Sequence, residues 1–220
     1  KENINDGFNN IGTINDSTVL RDIYYIILDG YPSSNVLQEY YNYDNQKFID
    51  NLKNQGFYVA SKSRANYPTA TFLSLASSLN MEYVNYLTDI IGEGATPNDR
   101  DVPYEMIDNN KIAHFLKSRG YKFITFSSGW GATNENSYAD LDIKGSYSSL
   151  SSEFFQVFAQ STFLREVYRR LNNTYGRREK ILFIFDGLSK LHKIKEPKFI
   201  FAHIFAPHPP WIFGPKGEPV

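Results

Sequence analysis

The sequence predicts an α/β fold, a three-layer α/β/α sandwich with a mostly parallel central sheet. Short apolar runs alternate with helical stretches through most of the chain, which is the order expected when helices cross over between parallel strands. The first run is continuously apolar and rich in β-branched residues, as is typical of a strand covered on both faces. The predicted strands lie at residues 22–28, 57–60, 121–126 and 198–206.

Length and composition limit the classes of function. The 220 residues suffice for one large domain with a buried core. The 23 basic and 24 acidic residues nearly balance, so no overall charge attracts nucleic acid, and we expect no nucleic-acid partner. The chain has no cysteine, which excludes disulfides, thiolate metal sites and cysteine nucleophiles.

The chain divides into two parts. Residues 1–21 are polar and rich in asparagine, and we interpret them as a tail or linker, whereas residues 22–220 form the predicted α/β domain. No stretch approaches the roughly 20 apolar residues of a membrane-spanning helix. Both ends look like cuts through a longer protein, so we expect an incomplete domain, truncated at the C-terminus.

The first strand, at residues 22–28, ends in Asp29 and Gly30. Open α/β sheets bind ligands at the carboxyl ends of their strands, and a carboxylate there is a candidate metal ligand. The same pair of residues also suits a simple turn. Asp29 is therefore the first candidate for a metal site.

Two helical stretches follow this strand, one beginning at Ser33 or Ser34 and one ending at Gly56. The loop behind the short predicted strand at residues 57–60 contains Arg64. A guanidinium at this place is a candidate phosphate contact, although most loop arginines are simply hydrated.

Residues 66–80 combine a turn, a hydroxyl and a helix. The turn-forming Asn66, Tyr67 and Pro68 precede Thr69, which stands where a helix N-cap is expected, and small and apolar residues then predict a buried helix. Unpaired N–H groups and the helix dipole favour the oxyanions of a bound ester, so this is a candidate site for phosphoryl chemistry. An ordinary capped core helix explains the same pattern.

The next strand, at residues 121–126, ends in a loop that contains Ser128 and Trp130. It follows a predicted surface excursion at residues 82–100 and a helix over residues 104–120. Because this loop also lies at the carboxyl end of a strand, Ser128 and Trp130 are candidates for the same cleft. A simple turn is the alternative.

Two helical stretches near residues 152–171 and 181–191 have wide apolar stripes, which are typical of core packing. Basic residues gather around them, and either a hydrated surface or proximity to an anionic membrane explains that charge. The last strand leads to His208, which lies between prolines and is a candidate ligand or phosphate contact. His203, inside the strand, is expected to be a core histidine.

Three segments together resemble the alkaline phosphatase/sulfatase superfamily. They are residues 28–31, with Leu-Asp-Gly-Tyr; residues 69–75, with Thr-Ala-Thr-Phe-Leu-Ser-Leu; and residues 201–211, with Ala-Pro-His-Pro-Pro-Trp. The resemblance spans residues 22–211 and is greatest to the sulfatase-like domains that follow membrane helices in bacterial and archaeal surface proteins, including phosphoglycerol and phosphoethanolamine transferases.

This resemblance implies an alkaline phosphatase-like fold with a divalent metal, Zn, Mn, Mg or Ca, as cofactor. It implies a phosphate- or sulfate-ester substrate on a surface glycan or lipid head group. It also implies an extracytoplasmic domain of a membrane-anchored protein.

Residue by residue, Asp29 resembles the first metal-binding acid of the family, and Thr69 resembles its metal-bound nucleophile. Thr71 with Phe72 also resembles the nucleophile segment of the phosphodiesterase branch, but the pattern from Thr69 matches the phosphoethanolamine transferases better. His208 resembles the Pro-His pair of sulfatases, which contacts the transferred group, and the phosphodiesterase branch has a metal-binding Asp there. The candidate substrate contacts are Arg64, Asn66, Ser128, Trp130 and His208.

Two departures from the family pattern matter. The Cys/Ser-x-Pro/Ala-x-Arg signature of classical sulfatases is absent, which disfavours sulfate hydrolysis through formylglycine and favours phosphoryl chemistry. The later Asp-His-Gly metal motif has no counterpart before Val220. We therefore expect this chain by itself to be inactive. The alternative is a non-catalytic sulfatase-like ectodomain that binds a glycan, a lipid head group or a protein partner.

Overall fold

The computed structural model describes residues 19–91, 99–145 and 176–220. Six helices follow the first strand in these ranges, one helix separates the last two strands, and two short 3-10 turns lie at Gly131–Thr133 and Leu191–Lys193. The elements are β1 Ile23–Leu28, α1 Ser34–Tyr41, α2 Gln46–Asn54, α3 Thr71–Asn80, α4 Leu87–Ile91, α5 Asp101–Asp108, α6 Lys111–Ser118, β2 Lys122–Phe126, β3 Leu141–Ile143, α7 Arg177–Lys190 and β4 Lys198–Ile204.

The four strands form one sheet in the order β1-β4-β2-β3, and every pair is parallel. The prediction of a parallel α/β sheet is confirmed. In the register between β1 and β4, Ile27 lies opposite His203 and Leu28 opposite Ile204. This register brings the ends of the two strands together, which determines where the site forms.

Helices pack on both faces of the sheet, an arrangement consistent with the predicted α/β/α sandwich. Side chains of α3, α5 and α6 form one core with Phe123, Phe199 and Phe201. Side chains of α7 form the other core with residues such as Ile124 and Ile200. The rings of Phe123 and Phe199 are stacked with centroids 5.3 Å apart.

The central strand β4 contributes to both cores, because successive side chains of a strand point to opposite faces. All seven of its residues are buried. Even Lys198 is buried, with only 2% of its surface exposed. Its Nζ lies 2.5 Å from Oδ2 of Asp22 and donates to the carbonyl of Ile194 at 2.9 Å. A buried ammonium group needs such partners, since leaving it unpaired in the core is costly.

Strand β1 differs from its prediction. A continuous apolar run predicts burial on both faces, but Tyr24 and Ile26 are 41% and 43% exposed. In the described sheet β1 is the end strand, so only Tyr25 and Ile27 face the core that contains α3. An apolar run therefore predicted the strand correctly and its burial incorrectly.

The predicted strand at residues 57–60 is wrong. The N–H of Phe57 donates to the carbonyl of Leu52 at 3.0 Å, and that of Gly56 donates to Lys53 at 2.9 Å. These hydrogen bonds complete the C-terminus of α2, as Gly at this position commonly does. Phe57 and Tyr58 are exposed, because no neighbouring strand of the described sheet covers them.

The helix predicted over residues 104–120 is two helices. The second is capped by the side chain of Asn110, which accepts from the N–H of Ala113 at 2.8 Å. The helix near 181–191 is confirmed as α7. The stretches 152–171 and 92–98, and most of the predicted tail, lie outside the described residues. Of the helices described, none has the length and apolar character needed to cross a membrane.

Candidate functional site

A cavity of about 520 Å³ lies where the carboxyl end of β1 meets the start of α3. This size is ordinary for a small-molecule site. Four residues predicted from the sequence line it, together with the alternative nucleophile: Asp29, Arg64, Asn66, Thr69 and Thr71. The structure thus brings together side chains that are up to about forty residues apart in the chain.

The backbone of Asp29 is held on both sides. Its N–H donates to the carbonyl of Ile204 at 2.9 Å, and its own carbonyl accepts from the N–H of His208 at 2.9 Å. The first hydrogen bond continues the pairing of β1 with β4, and the second binds Asp29 to the loop that follows β4. The direction of the Asp29 side chain is therefore set by the central strand of the sheet.

The Asp29 carboxylate is mostly buried, with 14% of the side chain exposed, and its Oδ2 lies 3.5 Å from Nε2 of His203. Neither of these two atoms forms a hydrogen bond with the described residues. Burial raises the pKa of Asp29, but the His203 ring and the charges of His203 and His208 outweigh burial, so that the pKa lies below its ordinary value. Asp29 is thus a carboxylate at neutral pH, with one buried oxygen that lacks a hydrogen-bond donor.

Gly30 allows the loop that contains His208 to approach Asp29. Its φ is +81°, and a Cβ built on it would lie 3.0 Å from the Cα of His208. Both the left-handed conformation and the close backbone contact favour glycine at this position. The Asp-Gly pair therefore serves as a turn and also places the acid at the cavity, so the two interpretations of this pair do not exclude each other.

The start of α3 differs from its prediction by one residue. Ala70 is the N-cap, without a side-chain cap, and Thr71 is the first helical residue. The expectation that Thr69 is the N-cap is therefore wrong. Thr69 instead has a left-handed backbone with φ of +71°, which is unusual for a β-branched residue. The N-cap residue Ala70 therefore supplies no side-chain acceptor to the first N–H groups of α3.

The loop before α3 is bound to the helix that follows it. The hydroxyl of Ser74 donates to the carbonyl of Tyr67 at 2.8 Å, and the Tyr67 N–H donates to the same hydroxyl at 3.2 Å. The side-chain amide of Asn66 donates to the hydroxyl of Ser77 at 2.9 Å. Asn66, predicted as a substrate contact, thus lines the cavity but uses its amide N–H to position the loop.

His208 lies beside Asp29 but is not among the residues that line the cavity. Its ring is stacked on Phe205, with centroids 4.3 Å apart, and its Nδ1 lies 2.7 Å from the carbonyl of Pro209. Because a carbonyl only accepts, Nδ1 carries the proton, and the lone pair of the neutral ring is at Nε2. The peptide bonds before Pro207 and Pro210 are cis.

Arg177, the first residue of α7, holds the His208 loop and was not predicted as a site residue. Its guanidinium lies over the ring of Phe205 at 4.2 Å and donates to the carbonyls of Phe205 and His208 at 2.8 and 2.7 Å. Burial lowers the pKa of Arg177, while the charge of Asp29 acts in the opposite direction. The charge of Asp29 thus reaches Arg177. The site therefore contains a cation from the group of basic residues that the sequence analysis explained by a hydrated surface or by an anionic membrane.

Ser128 and Trp130 are close to the site but do not line the cavity among the described residues. The hydroxyl of Ser128 is buried and lies 2.7 Å from the hydroxyl of Thr133. The Trp130 ring packs edge-on against His203, with centroids 5.3 Å apart. Trp130 therefore reaches the site through His203, and Ser128 reaches it through Thr133 and His203.

The predicted metal site is incomplete in the described part of the chain. No group of three or more His, Asp or Glu side chains in that part could hold a metal ion. The buried, unpaired oxygen of Asp29 and a threonine hydroxyl fit two positions of such a site. They do not make a full set of ligands, so no chemical step is assigned to a metal here.

Comparisons with protein-family models, with curated proteins and with solved structures found no match. The resemblance to the alkaline phosphatase/sulfatase superfamily therefore depends on the three sequence segments alone. What the site does has to be argued from its geometry.

Proposed function

We propose that the cavity is a phosphoryl-transfer site, in which a threonine hydroxyl at the start of α3 attacks a phosphate ester of a surface glycan or lipid head group. The observation that supports this most strongly is the composition of one cavity lining. A buried carboxylate, two threonine hydroxyls and the uncapped start of a helix all face the same space of about 520 Å³.

The uncapped start of α3 suits the oxyanions of a phosphoryl group, because its N–H groups donate and the helix dipole favours negative charge. Arg64 adds a cation to the same lining. Asp29, in contrast, repels an anionic ester. A divalent ion, Zn, Mn, Mg or Ca, would offset that repulsion when bound and would lower the pKa of a coordinated hydroxyl; its other ligands would have to come from outside the described residues.

Two threonines compete for the role of nucleophile. The sequence pattern favours Thr69, and its left-handed backbone is the kind of strain that is found at functional sites. The start of the helix favours Thr71, since its hydroxyl and the open N–H groups belong to the same turn. We give preference to Thr71 on this ground and treat Thr69 as the alternative.

The reaction proceeds in two transfers. The threonine oxygen forms a bond to phosphorus while the bond to the leaving oxygen breaks. The hydroxyl proton passes to solvent, and the departing oxygen takes up a proton from solvent and leaves as the alcohol. Water or a second alcohol then takes the phosphoryl group and restores the threonine. The resemblance further places this activity on an extracytoplasmic, membrane-anchored protein, which remains a prediction.

A second candidate function is the binding of a glycan, a lipid head group or a protein partner without catalysis. The incomplete set of metal ligands among the described residues favours it. In that case the cavity would retain phosphate esters through the start of α3 and Arg64 and would not cleave them.

The experiment is hydrolysis of bis-p-nitrophenyl phosphate with Zn, Mn or Mg, by this chain and by a form that continues past Val220. We expect little or no turnover by the chain alone. In the longer form, Thr71→Ala should lower kcat by on the order of 1000-fold or more, and Thr69→Ala should lower it less. Thr88→Ala, the same substitution on the exposed side of α4, is the matched control.

The outcomes separate the hypotheses. A large loss with Thr69→Ala alone would make Thr69 the nucleophile. Full activity in both variants would refute the assignment of either hydroxyl. Binding of the ester without turnover under any of the metals would favour the second function.

A further inference from the structure

A chain of polar contacts lies behind Asp29 and leads away from the cavity. The N–H of Trp130 donates to the hydroxyl of Ser128 at 2.9 Å, and this hydroxyl lies 2.7 Å from that of Thr133. The Thr133 hydroxyl lies 2.8 Å from Nδ1 of His203. Nε2 of His203 faces Oδ2 of Asp29 at 3.5 Å. Three side chains thus connect a backbone N–H with the carboxylate.

All three connecting side chains are buried. Ser128, Thr133 and His203 are 6%, 8% and 1% exposed. The His203 ring is also fixed by edge-on contacts with Trp130 and Phe205, with centroids 5.3 and 6.3 Å away. The ring therefore has a single orientation, in which one nitrogen faces a hydroxyl and the other faces the acid.

The two ends of this chain give it a direction. The N–H of Trp130 can only donate, and the ionised carboxylate of Asp29 can only accept. Protons therefore point from Trp130 to Ser128, from Ser128 to Thr133 and from Thr133 to Nδ1 of His203. The Nε2–H is then directed at Oδ2 of Asp29, in a 3.5 Å contact that is longer than the hydrogen bonds before it. In this arrangement each hydroxyl donates once and accepts once.

The opposite direction uses poorer contacts. If Nδ1 carried the proton, Thr133 would donate to Ser128, and the Ser128 hydrogen would have only the carbonyl of Trp130 at 3.3 Å. A neutral ring would then turn its Nε2 lone pair toward the carboxylate of Asp29, which is repulsive. Only a doubly protonated ring avoids this repulsion.

We propose that Ser128, Thr133 and His203 form a positioning relay, in which the Thr133 hydroxyl donates to Nδ1 of His203 and the Nε2–H of the ring is directed at the Asp29 carboxylate and fixes its direction. The direction of the hydrogen bonds supports this tautomer without reference to any activity, whereas its value for catalysis depends on the proposed phosphoryl-transfer function. The relay also gives Ser128 and Trp130 a role, since they act through His203 and do not contact the substrate.

The direct test is heteronuclear NMR of the imidazole nitrogens of the chain at neutral pH. We expect a proton on Nε2 and none on Nδ1 of His203. Thr133→Val, which is close in shape but lacks the donor, should shift His203 away from this tautomer. The exposed His192, whose Nδ1 faces the carbonyl of Ser189 at 2.7 Å, is the reference for the opposite tautomer in the same spectrum.

A proton on Nδ1, or on both nitrogens, would overturn the relay. So would a spectrum that is unchanged by Thr133→Val. These results do not depend on whether the protein is an enzyme, and they remain available if a variant of His203 itself fails to fold.

Activity in the form that continues past Val220 tests the second half of the proposal. His203→Ala should lower kcat by about 10- to 100-fold, the usual effect of losing a group that orients a metal-ligating side chain. His203→Gln, whose amide N–H can replace Nε2–H, should recover part of this loss. No difference between the two variants would mean that His203 does not position Asp29. Full activity in Thr69→Ala and Thr71→Ala would instead refute the proposed function and leave the tautomer unaffected.

Discussion

Gly30→Ala tests how closely the His208 loop is held against the end of β1. The substitution has two separate effects. An alanine at φ of +81° is strained by roughly 1–2 kcal/mol. In addition, its Cβ would lie 3.0 Å from Cα and 3.1 Å from N of His208. These are backbone atoms, so the loop itself has to move.

The second effect can be estimated from the hydrogen bond that such a movement breaks. The N–H of His208 donates to the carbonyl of Asp29 at 2.9 Å, and a bond of this kind contributes about 0.5–1.5 kcal/mol. We therefore expect Gly30→Ala to lower the free energy of unfolding by about 1.5–3.5 kcal/mol in total.

Gly56→Ala is the matched control, because Gly56 has a φ of +87° and no atom within 4 Å of its added Cβ. It should show the backbone strain alone, about 1–2 kcal/mol. The assay is urea unfolding of both variants, combined with hydrogen exchange at the amide of His208. Equal losses of stability and an unchanged exchange rate would refute the reasoning, since the loop would then be free to yield.

Three further predictions concern charges near the ends of the central strand. Asp22→Asn should lower the free energy of unfolding by about 1–3 kcal/mol, because the buried Lys198 loses its charged partner. Lys198→Met should lower it by less, because the side chain of Asp22 is one third exposed and can be hydrated. Urea unfolding measures both losses, and the reverse order would contradict this prediction. Arg177→Lys should make hydrogen exchange at the amide of His208 roughly tenfold faster, since an ammonium group cannot both stack on a ring and donate to two carbonyls. An unchanged exchange rate would show that the guanidinium does not hold the loop. Because the pKa of Asp29 is lowered in the folded protein, its ionised form stabilises the fold at pH values above its ordinary pKa of 3.8, and this contribution is lost as the pH falls through the pKa of the folded state. Asp29→Asn should therefore flatten the acid side of the plot of unfolding free energy against pH. An equally steep plot would assign the pH dependence to other groups.

The sequence predicted those parts of the fold that depend on local patterns. Strands β1, β2 and β4 are apolar runs of five to seven residues. Helix α7 contains one apolar run, at residues 181–185, of which Ile181 and Ile184 are buried. The three-residue β3 has too short a pattern to stand out. The run at residues 57–60 has strand composition, but Gly56 directs its first N–H back to α2.

The candidate site was predicted in part for the same reason. Asp29 follows a recognisable strand, and Thr69 and Arg64 lie near a recognisable turn, so all three could be placed at one edge of a parallel sheet. The start of α3 was one residue off, because helix boundaries depend on backbone geometry that sequence composition does not determine.

The supporting contacts could not be predicted, because they join distant parts of the chain. Thr133 and His203 are 70 residues apart, and only the register of β4 between β1 and β2 brings them together. Arg177 reaches the His208 loop from a separate helix, 31 residues earlier in the chain. A basic residue on a predicted helix gives no sign of such a partner.

The two walls of the cavity differ in how they can open. Asp29 is bound on one side to Ile204 of the buried strand β4 and on the other side to the His208 loop, so its wall should resist local opening more than an exposed loop does. Arg64, Asn66 and Thr69 belong to an exposed loop that can open locally. Changes of length or sequence in that loop can therefore alter the shape of the cavity while the acid stays in place. The fold thus separates the part of the cavity that can vary from the part that holds the charge.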